Sequence, residues 1–158
     1  MVATLEDLVI DVPAIDRALL AGTLAPYVRL SETGALVPLA PGWATLSTER
    51  AVVVCLLAFR AAAALGLRAD GAAAPAEITR ATGLPGGSVR PALVRLLRAR
   101  RIVRIPHAGR FPLYFVPLAA LSVLRTWLGA PDSTVLDAID LSAQDTPYGD
   151  HPAERQRV

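Results

Sequence analysis

The chain has 158 residues, of which 53% are hydrophobic, and its 16 basic and 14 acidic residues give a formal net charge of +2. This is enough for one domain with a hydrophobic core, which excludes a wholly disordered chain. A single cysteine, Cys55, excludes a disulfide framework and a cysteine-based zinc site, and the two histidines, His107 and His151, are far apart. We therefore expect no metal and no cofactor.

The basic residues are unusual because all 16 are Arg, and none is Lys. A GC-rich coding genome would explain this bias without any functional cause. Arg is also the residue that binds phosphate and guanine through paired hydrogen bonds. Arg usage alone does not separate these interpretations. The 29 Ala and 24 Leu residues favour helix over sheet.

The N-terminal 46 residues predict an amphipathic segment, a helix and a β-hairpin, over residues 4–12, 14–24 and 27–39. Gly34 occupies the turn position of the hairpin that requires a positive φ. Pro38 indicates an edge strand. A protein partner for these 46 residues is possible.

A helix is predicted over residues 48–65, with Ser47 as its N-cap and Gly66 after its end. It is apolar nearly all round, which indicates a buried helix or a dimer interface. Its apolar stretch 51–67 is near the lower length limit for a membrane span, and Arg60 lies in its middle. We therefore expect no membrane insertion.

The following segment predicts a loop, a helix, a turn and a second helix, over residues 69–74, 75–82, 84–87 and 89–100. Pro75 suits the first position of a helix and Gly83 its end. Ser88 is the predicted N-cap of the second helix. Pro91 would then be its third residue, where no intrahelical N–H is lost.

Two strands and a last helix are predicted over residues 102–105, 113–116 and 118–128, with Leu118, Leu121, Leu124 and Leu128 on one face of the helix. The residues from 130 to 158 are acidic and polar, and we expect them to be flexible or bound to a partner. The predicted domains are thus residues 1–46, 47–129 and 130–158.

The stretch PAEITRATGLPGGSVRPALVRLLRARRIVRI (75–105) resembles the winged helix-turn-helix transcription regulators of the IclR, GntR and MarR type. The matching features are Glu77-Ile78, Thr82-Gly83-Leu84-Pro85, Ser88-Val89-Arg90, Leu93 and Leu96-Leu97. The resemblance covers roughly residues 48–116. It implies a mainly α fold with a small antiparallel β part, here with an N-terminal helix and hairpin extension and an acidic C-terminal tail. One departure is the segment 98–101, Arg-Ala-Arg-Arg, which lacks the glycine that often precedes the first wing strand.

The predicted helix 89–101 has two different faces. At 100° per residue, most of its apolar side chains fall on one side, and Arg90, Arg95, Arg98 and Arg101 fall on the other. Val94 and Pro91 lie on the arginine side, and Arg100, at the end of the helix, falls on the apolar side. An α-helix fits the DNA major groove, and Arg can bind guanine O6 and N7 there. In the wing, Arg110 lies near the loop tip and Arg104 in the first strand. The predicted DNA-binding residues are Ser88, Arg90, Arg95, Arg98, Arg101, Arg104 and Arg110.

Charge is strongly segregated along the chain. Residues 80–128 contain nine Arg and no acid, whereas residues 1–49 and 129–158 each contain six acids and two Arg. A basic run of this kind is typical of a protein that binds a polyanion. It could instead be a solvated face that pairs with the acidic ends of the same chain.

These features predict a double-stranded DNA-binding protein, in particular a transcription regulator. An alternative is a winged-helix assembly module within a larger complex, whose basic face meets an acidic protein subunit or the general field of a nucleic acid. The case for RNA binding is weaker, because aromatic residues, on which single-stranded bases stack, are only 5% of the chain.

Further expectations concern assembly, location and catalysis. A homodimer could form through helix 48–65 or helix 118–128. The first residues lack the pattern of an export signal, so we expect a cytoplasmic location. Catalytic motifs are missing, since 83–88 lacks the Lys and the spacing of a P-loop, and we do not expect an enzyme.

Overall fold

The chain is described from a computed structural model. It divides into two compact units, Met1–Leu128 and Gly129–Val158. The structure describes residues 12–107 and 110–128 of the first unit and residues 129–131 of the second. In chain order the elements are α1 (Val12–Leu24), β1 (Val28–Leu30), β2 (Leu36–Pro38), α2 (Thr48–Ala64), α3 (Pro75–Thr82), α4 (Gly86–Arg98), β3 (Val103–Ile105), β4 (Leu113–Phe115) and α5 (Leu121–Gly129).

Helix α2 is the centre of the first unit. Ser47 caps it as predicted, since its hydroxyl accepts a hydrogen bond from the backbone N–H of Arg50 at 3.3 Å. Residues 51–59 are all buried, and α2 packs against α1, α3, α4, β1, β2 and β4. The suggestion that helix 48–65 forms a dimer interface is therefore wrong for residues 51–59, because the chain itself covers every face of this segment.

The N-terminal extension shares the core of the rest of the unit. Strands β1 and β2 pair antiparallel, and Gly34 has the positive φ, 82°, that its turn requires. The predicted helix and hairpin are thus confirmed. Leu20, Leu24 and Val28 lie in the same cluster of buried residues as α2. The predicted amphipathic segment lies outside the described residues up to position 11.

Helices α2, α3 and α4, followed by the β3–β4 hairpin, form a winged helix-turn-helix. Helix α3 begins at Pro75, and Gly83 ends it in the left-handed conformation, with φ 72°. Ile78 on α3 and Leu93 on α4 are buried in the same core as α2. The predicted fold class, mainly α with small antiparallel β, is confirmed.

The wing contains one pairing that the sequence analysis missed. Strands β3 and β4 are antiparallel, with Arg104 opposite Tyr114. On the other side of β4, Ala73 and Tyr114 exchange two backbone hydrogen bonds, of 2.9 and 2.8 Å. The prediction of a plain loop over 69–74 is therefore wrong at Ala73, which extends the wing sheet by a third, one-residue strand.

The last helix packs with its leucine stripe inward. Leu121, Leu124 and Leu128, three of the four leucines predicted to share one face, are buried. The α-helix begins only at Leu121, because residues Leu118–Ala120 form a 3-10 turn. The predicted acidic tail lies outside the described residues from position 132 onward.

Nothing in the described part of the chain indicates a membrane span or a metal centre. No helix there is long and apolar enough to cross a membrane, and no group of three His, Cys, Asp or Glu side chains could hold a metal ion. Cys55 is buried, and this burial raises the pKa of its thiol to about 12. The thiol therefore stays protonated at neutral pH and packs as a small apolar group, as predicted.

A substitution at Gly42, between the hairpin and α2, tests how the N-terminal extension packs. A Cβ atom at this position would lie 2.0 Å from the carbonyl oxygen of Pro26. We expect Gly42→Ala to lower the free energy of unfolding by about 1–3 kcal/mol, measured by urea denaturation. Gly87→Ala is the control, because a Cβ there meets nothing within 4 Å. A Gly42→Ala protein as stable as the control would contradict this packing.

Candidate nucleic-acid interface

Helix α4 begins earlier than predicted. Pro85 is at the N-cap position, and its carbonyl oxygen accepts the backbone N–H groups of Ser88 and Val89 at 2.9 and 3.1 Å. The prediction that Ser88 caps this helix is therefore wrong. Ser88 is the third helical residue, because Pro85, in an extended conformation, is already the N-cap.

The earlier start places Pro91 inside the helix. Proline lacks an N–H, so the hydrogen bond from residue 91 to the carbonyl of Gly87 cannot form, and the prediction that none is lost is wrong. Gly87 and Pro91 are both exposed, so water can reach this carbonyl. The missing bond therefore lies on the solvent side of α4.

The two predicted faces of α4 are present in the structure. Val89, Ala92, Leu93 and Leu96 are buried. Arg90, Val94 and Arg98 are exposed on the opposite face. The apolar contacts with α2 and α3 therefore fix which side of α4 points away from the core.

Arg95 is also on α4, but it has a partner within the chain. Its Nε donates to a carboxylate oxygen of Glu49, at the beginning of α2. The Arg95 side chain remains 54% exposed. A half-exposed ion pair of this kind contributes about 0–1 kcal/mol, so a phosphate can compete with Glu49 for Arg95.

Arg101 is not on the helix, which corrects its predicted place on the arginine face. The helix ends at Arg98, and Arg100 adopts the left-handed conformation, with φ 58°. The backbone N–H groups of Arg100 and Arg101 close the end by bonding to the carbonyls of Leu97 and Leu96, both at 3.0 Å. The segment 98–101 lacks the usual glycine, and Arg100 occupies the left-handed position at the helix end that glycine usually occupies.

The turn at Arg100 directs Arg101 towards α5. The guanidinium carbon of Arg101 lies 4.0 Å from the centre of the Trp127 ring. Burial lowers the pKa of Arg101, although the nearby Glu49 opposes this effect. An Arg with a lowered pKa is still charged at neutral pH. Arg101 therefore joins α4 to α5 rather than adding to the exposed arginine face.

The wing carries the remaining predicted residues. Arg104 is exposed in the middle of β3, and Arg110 is exposed after the wing loop. The backbone N–H of Arg110 donates to the carbonyl of His107 at 3.0 Å. The loop positions 108 and 109, predicted as part of the wing tip, lie outside the described residues.

Phe111 connects the wing to α4, and the sequence analysis missed it. The Arg90 guanidinium carbon lies 5.5 Å from the centre of the Phe111 ring, within the range of a cation–π contact. Glu49 and Trp127 were missed as well. All three meet their arginines across long sequence separations, so no local spacing could reveal them.

The exposed side of α4 and the wing is positively charged. Arg90, Arg95, Arg98, Arg104 and Arg110 are exposed, and the sequence has no acid between Glu77 and Asp132. A surface of one sign attracts polyanions over distances of about 10 Å at 0.1 M salt. It provides guanidinium donors for phosphate oxygens and for base edges.

No protein-family model and no curated protein matches the sequence. Some solved structures show a distant similarity. One is described as "Mechanism for regulation of DNA binding of Bordetella bronchiseptica BpsR by 6-hydroxynicotinic acid", with 16% identity and a TM-score of 0.38, over 96% of this chain and 85% of that chain. Another is MarR from E. coli in its apo form, with 15% identity and a TM-score of 0.38, over 93% of this chain and 99% of that chain.

The end of α4 offers a test of its local geometry. We expect Arg100→Gly to raise the free energy of unfolding by about 0.5–1 kcal/mol, because glycine adopts φ near 58° without a Cβ penalty. Arg100→Ala removes the same charge but keeps the Cβ, so it should show no gain. Urea denaturation of both variants measures the difference. Equal stability of the two variants would mean that residue 100 is not left-handed.

Proposed function

We propose that this chain binds double-stranded DNA and regulates transcription, with α4 in the major groove and the β3–β4 wing on the adjacent backbone or minor groove. The observation that carries the proposal is the position of Arg90 and Arg98. Both are exposed on the face of α4 opposite to the buried residues Val89, Leu93 and Leu96. A helix of this kind can enter the groove without disturbing the core.

The first turn of α4 supports a close approach to the DNA backbone. Gly86 and Gly87 are exposed, and an added Cβ at either would meet nothing within 4 Å. Helix N-termini present free N–H groups and a partial positive charge to phosphate. Ser88, in the same turn, is a hydroxyl donor for a phosphate or a base edge. We assign these residues to positioning and Arg90 to reading of a guanine.

The wing and the rest of α4 would bind mainly phosphates. Arg104 and Arg110 are the wing candidates. Arg98 and, after release from Glu49, Arg95 are the helix candidates. Arg101 contributes to the positive field from its place beside Trp127.

A homodimer is the form in which a single winged helix usually gains specificity, by reading two half-sites about 34 Å apart. Of the two helices that could form the interface, residues 118–128 are the better candidate, because residues 51–59 of α2 are covered by their own chain. Val123 on α5 is 65% exposed. A regulator of this kind would act in the cytoplasm, on chromosomal DNA.

A second candidate function is a winged-helix assembly module, in which the basic face binds an acidic protein. The observation in its favour is that two of the predicted DNA-binding arginines already have partners in the chain. Arg95 binds Glu49, and Arg101 packs on Trp127. The acidic residues of the chain ends could recruit further partners in such an assembly.

The double variant Arg90→Ala/Arg98→Ala tests the role of α4. We expect it to bind a duplex about 30-fold or more weakly than the wild type, since each such contact is worth about 1–3 kcal/mol. Fluorescence anisotropy of a labelled duplex measures the change. Because both side chains are exposed, the thermal unfolding midpoint should fall by about 2–4 °C at most, the loss expected from the contact of Arg90 with Phe111.

The control is Arg17→Ala/Arg29→Ala, which removes the same charge from exposed positions on α1 and β1. It should bind the duplex almost as the wild type does. Equal losses in both double variants would mean that only the total charge matters. Unchanged affinity in the α4 variant would refute α4 as the recognition helix and favour the assembly module.

A further inference from the structure

Arg90 has exposed apolar side chains as neighbours, both on α4 and on the wing. We call Arg90, Pro91, Val94 and Phe111 the Arg90 patch. Val94 is 46% exposed and Phe111 is 65% exposed, and both count among the exposed large hydrophobic residues of the described chain. Pro91 is exposed as well. The patch therefore combines one guanidinium with a substantial apolar surface.

The fold brings the members of the Arg90 patch together. Val94 follows Arg90 by one turn of α4, so the two side chains are neighbours on the same helix face. Phe111 comes from the wing, and its ring centre is 5.5 Å from the Arg90 guanidinium carbon. A ring at this distance restricts the directions that the guanidinium can take, which reduces the entropy lost when Arg90 binds a planar acceptor.

Apolar side chains gain little from phosphates, which are charged and hydrated. The major groove offers them one apolar group, the 5-methyl of thymine, and Phe or small aliphatic side chains can contact it. Arg beside them can bind O6 and N7 of guanine. A guanidinium framed by apolar groups therefore suits a guanine that has a thymine as its neighbour.

From this arrangement we propose that the Arg90 patch reads a guanine next to a thymine. Arg90 donates to O6 and N7 of the guanine, and Val94 and Phe111 contact the 5-methyl of the thymine. This inference rests on the proposed DNA-binding function and adds a sequence preference to it. Phe111 thereby becomes a specificity-determining residue. Its ring lies beside Arg90 of α4, so it adds to the major-groove contacts, while Arg104 and Arg110 of the wing stay at the backbone or minor groove.

The test begins with a library of randomised 20-bp duplexes, from which the wild-type protein selects its preferred sequences. We expect a guanine with a neighbouring thymine in each selected half-site. The thymines of one selected duplex are then replaced one at a time by deoxyuridine, which removes only the 5-methyl. One position should lose about fourfold in affinity, the size expected for burial of one methyl group.

The variant Val94→Ala/Phe111→Ala shows whether these side chains are the cause. It should bind the thymine and deoxyuridine duplexes equally well, while the wild type distinguishes them. Val37→Ala is the matched control, because Val37 is a 43% exposed valine on β2, outside the Arg90 patch. It should keep the full fourfold difference.

The outcomes separate this inference from the proposed function. Wild-type protein that binds duplexes but treats deoxyuridine like thymine at every position overturns the inference and leaves DNA binding intact. The same holds if the difference survives in Val94→Ala/Phe111→Ala. Wild-type protein that binds no duplex at low salt overturns the proposed function itself. The wild-type comparison needs no variant, so it decides the question even if the double variant fails to fold.

Discussion

The burial of residues 51–59 of α2 on all sides is the constraint on which the rest of the structure depends. Residues 51–59 present no polar face, so the chain must cover each side of this helix. Helix α1 and strand β1 cover one part, and α3, α4 and β4 cover others. Because α4 must turn Val89, Leu93 and Leu96 towards this core, its arginine side is left facing the solvent.

The arginines divide between two tasks. One group supports the fold through backbone carbonyls, carboxylates and rings. Arg60 donates to the carbonyl of Val116 at 2.7 Å, Arg68 binds Glu77 at 2.5 Å, and Arg101 packs on Trp127. A second group, on α4 and the wing, stays exposed. An all-arginine composition is suited to both tasks, since the guanidinium has five donors and a flat face.

Local signals in the sequence were enough to predict most of the fold. Ser47, Pro75 and Gly83 mark helix ends by their own chemistry, and the apolar spacing of α4 defines its two faces. What could not be predicted depends on contacts between distant parts of the chain. The pairing of Ala73 with Tyr114 involves a single residue, so it leaves no strand pattern.

In the candidate interface, too, local sequence signals predict some features, and contacts between distant residues determine the others. Exposure of Arg90 and Arg98 follows from helical periodicity alone. The ion pair of Arg95 with Glu49 and the contact of Arg90 with Phe111 depend on how α2 and the wing pack against α4. Arg101 was misplaced because the left-handed Arg100 ends the helix where no glycine signals an end.

The most direct test of the central claim is the salt dependence of duplex binding by the wild-type protein, measured by fluorescence anisotropy. About four or five phosphate contacts from α4 and the wing predict that log Kd rises with log salt concentration with a slope of about 4, because each contact contributes about 0.9. Absence of binding at low salt, or binding that does not respond to salt, would contradict the claim that this basic face binds DNA.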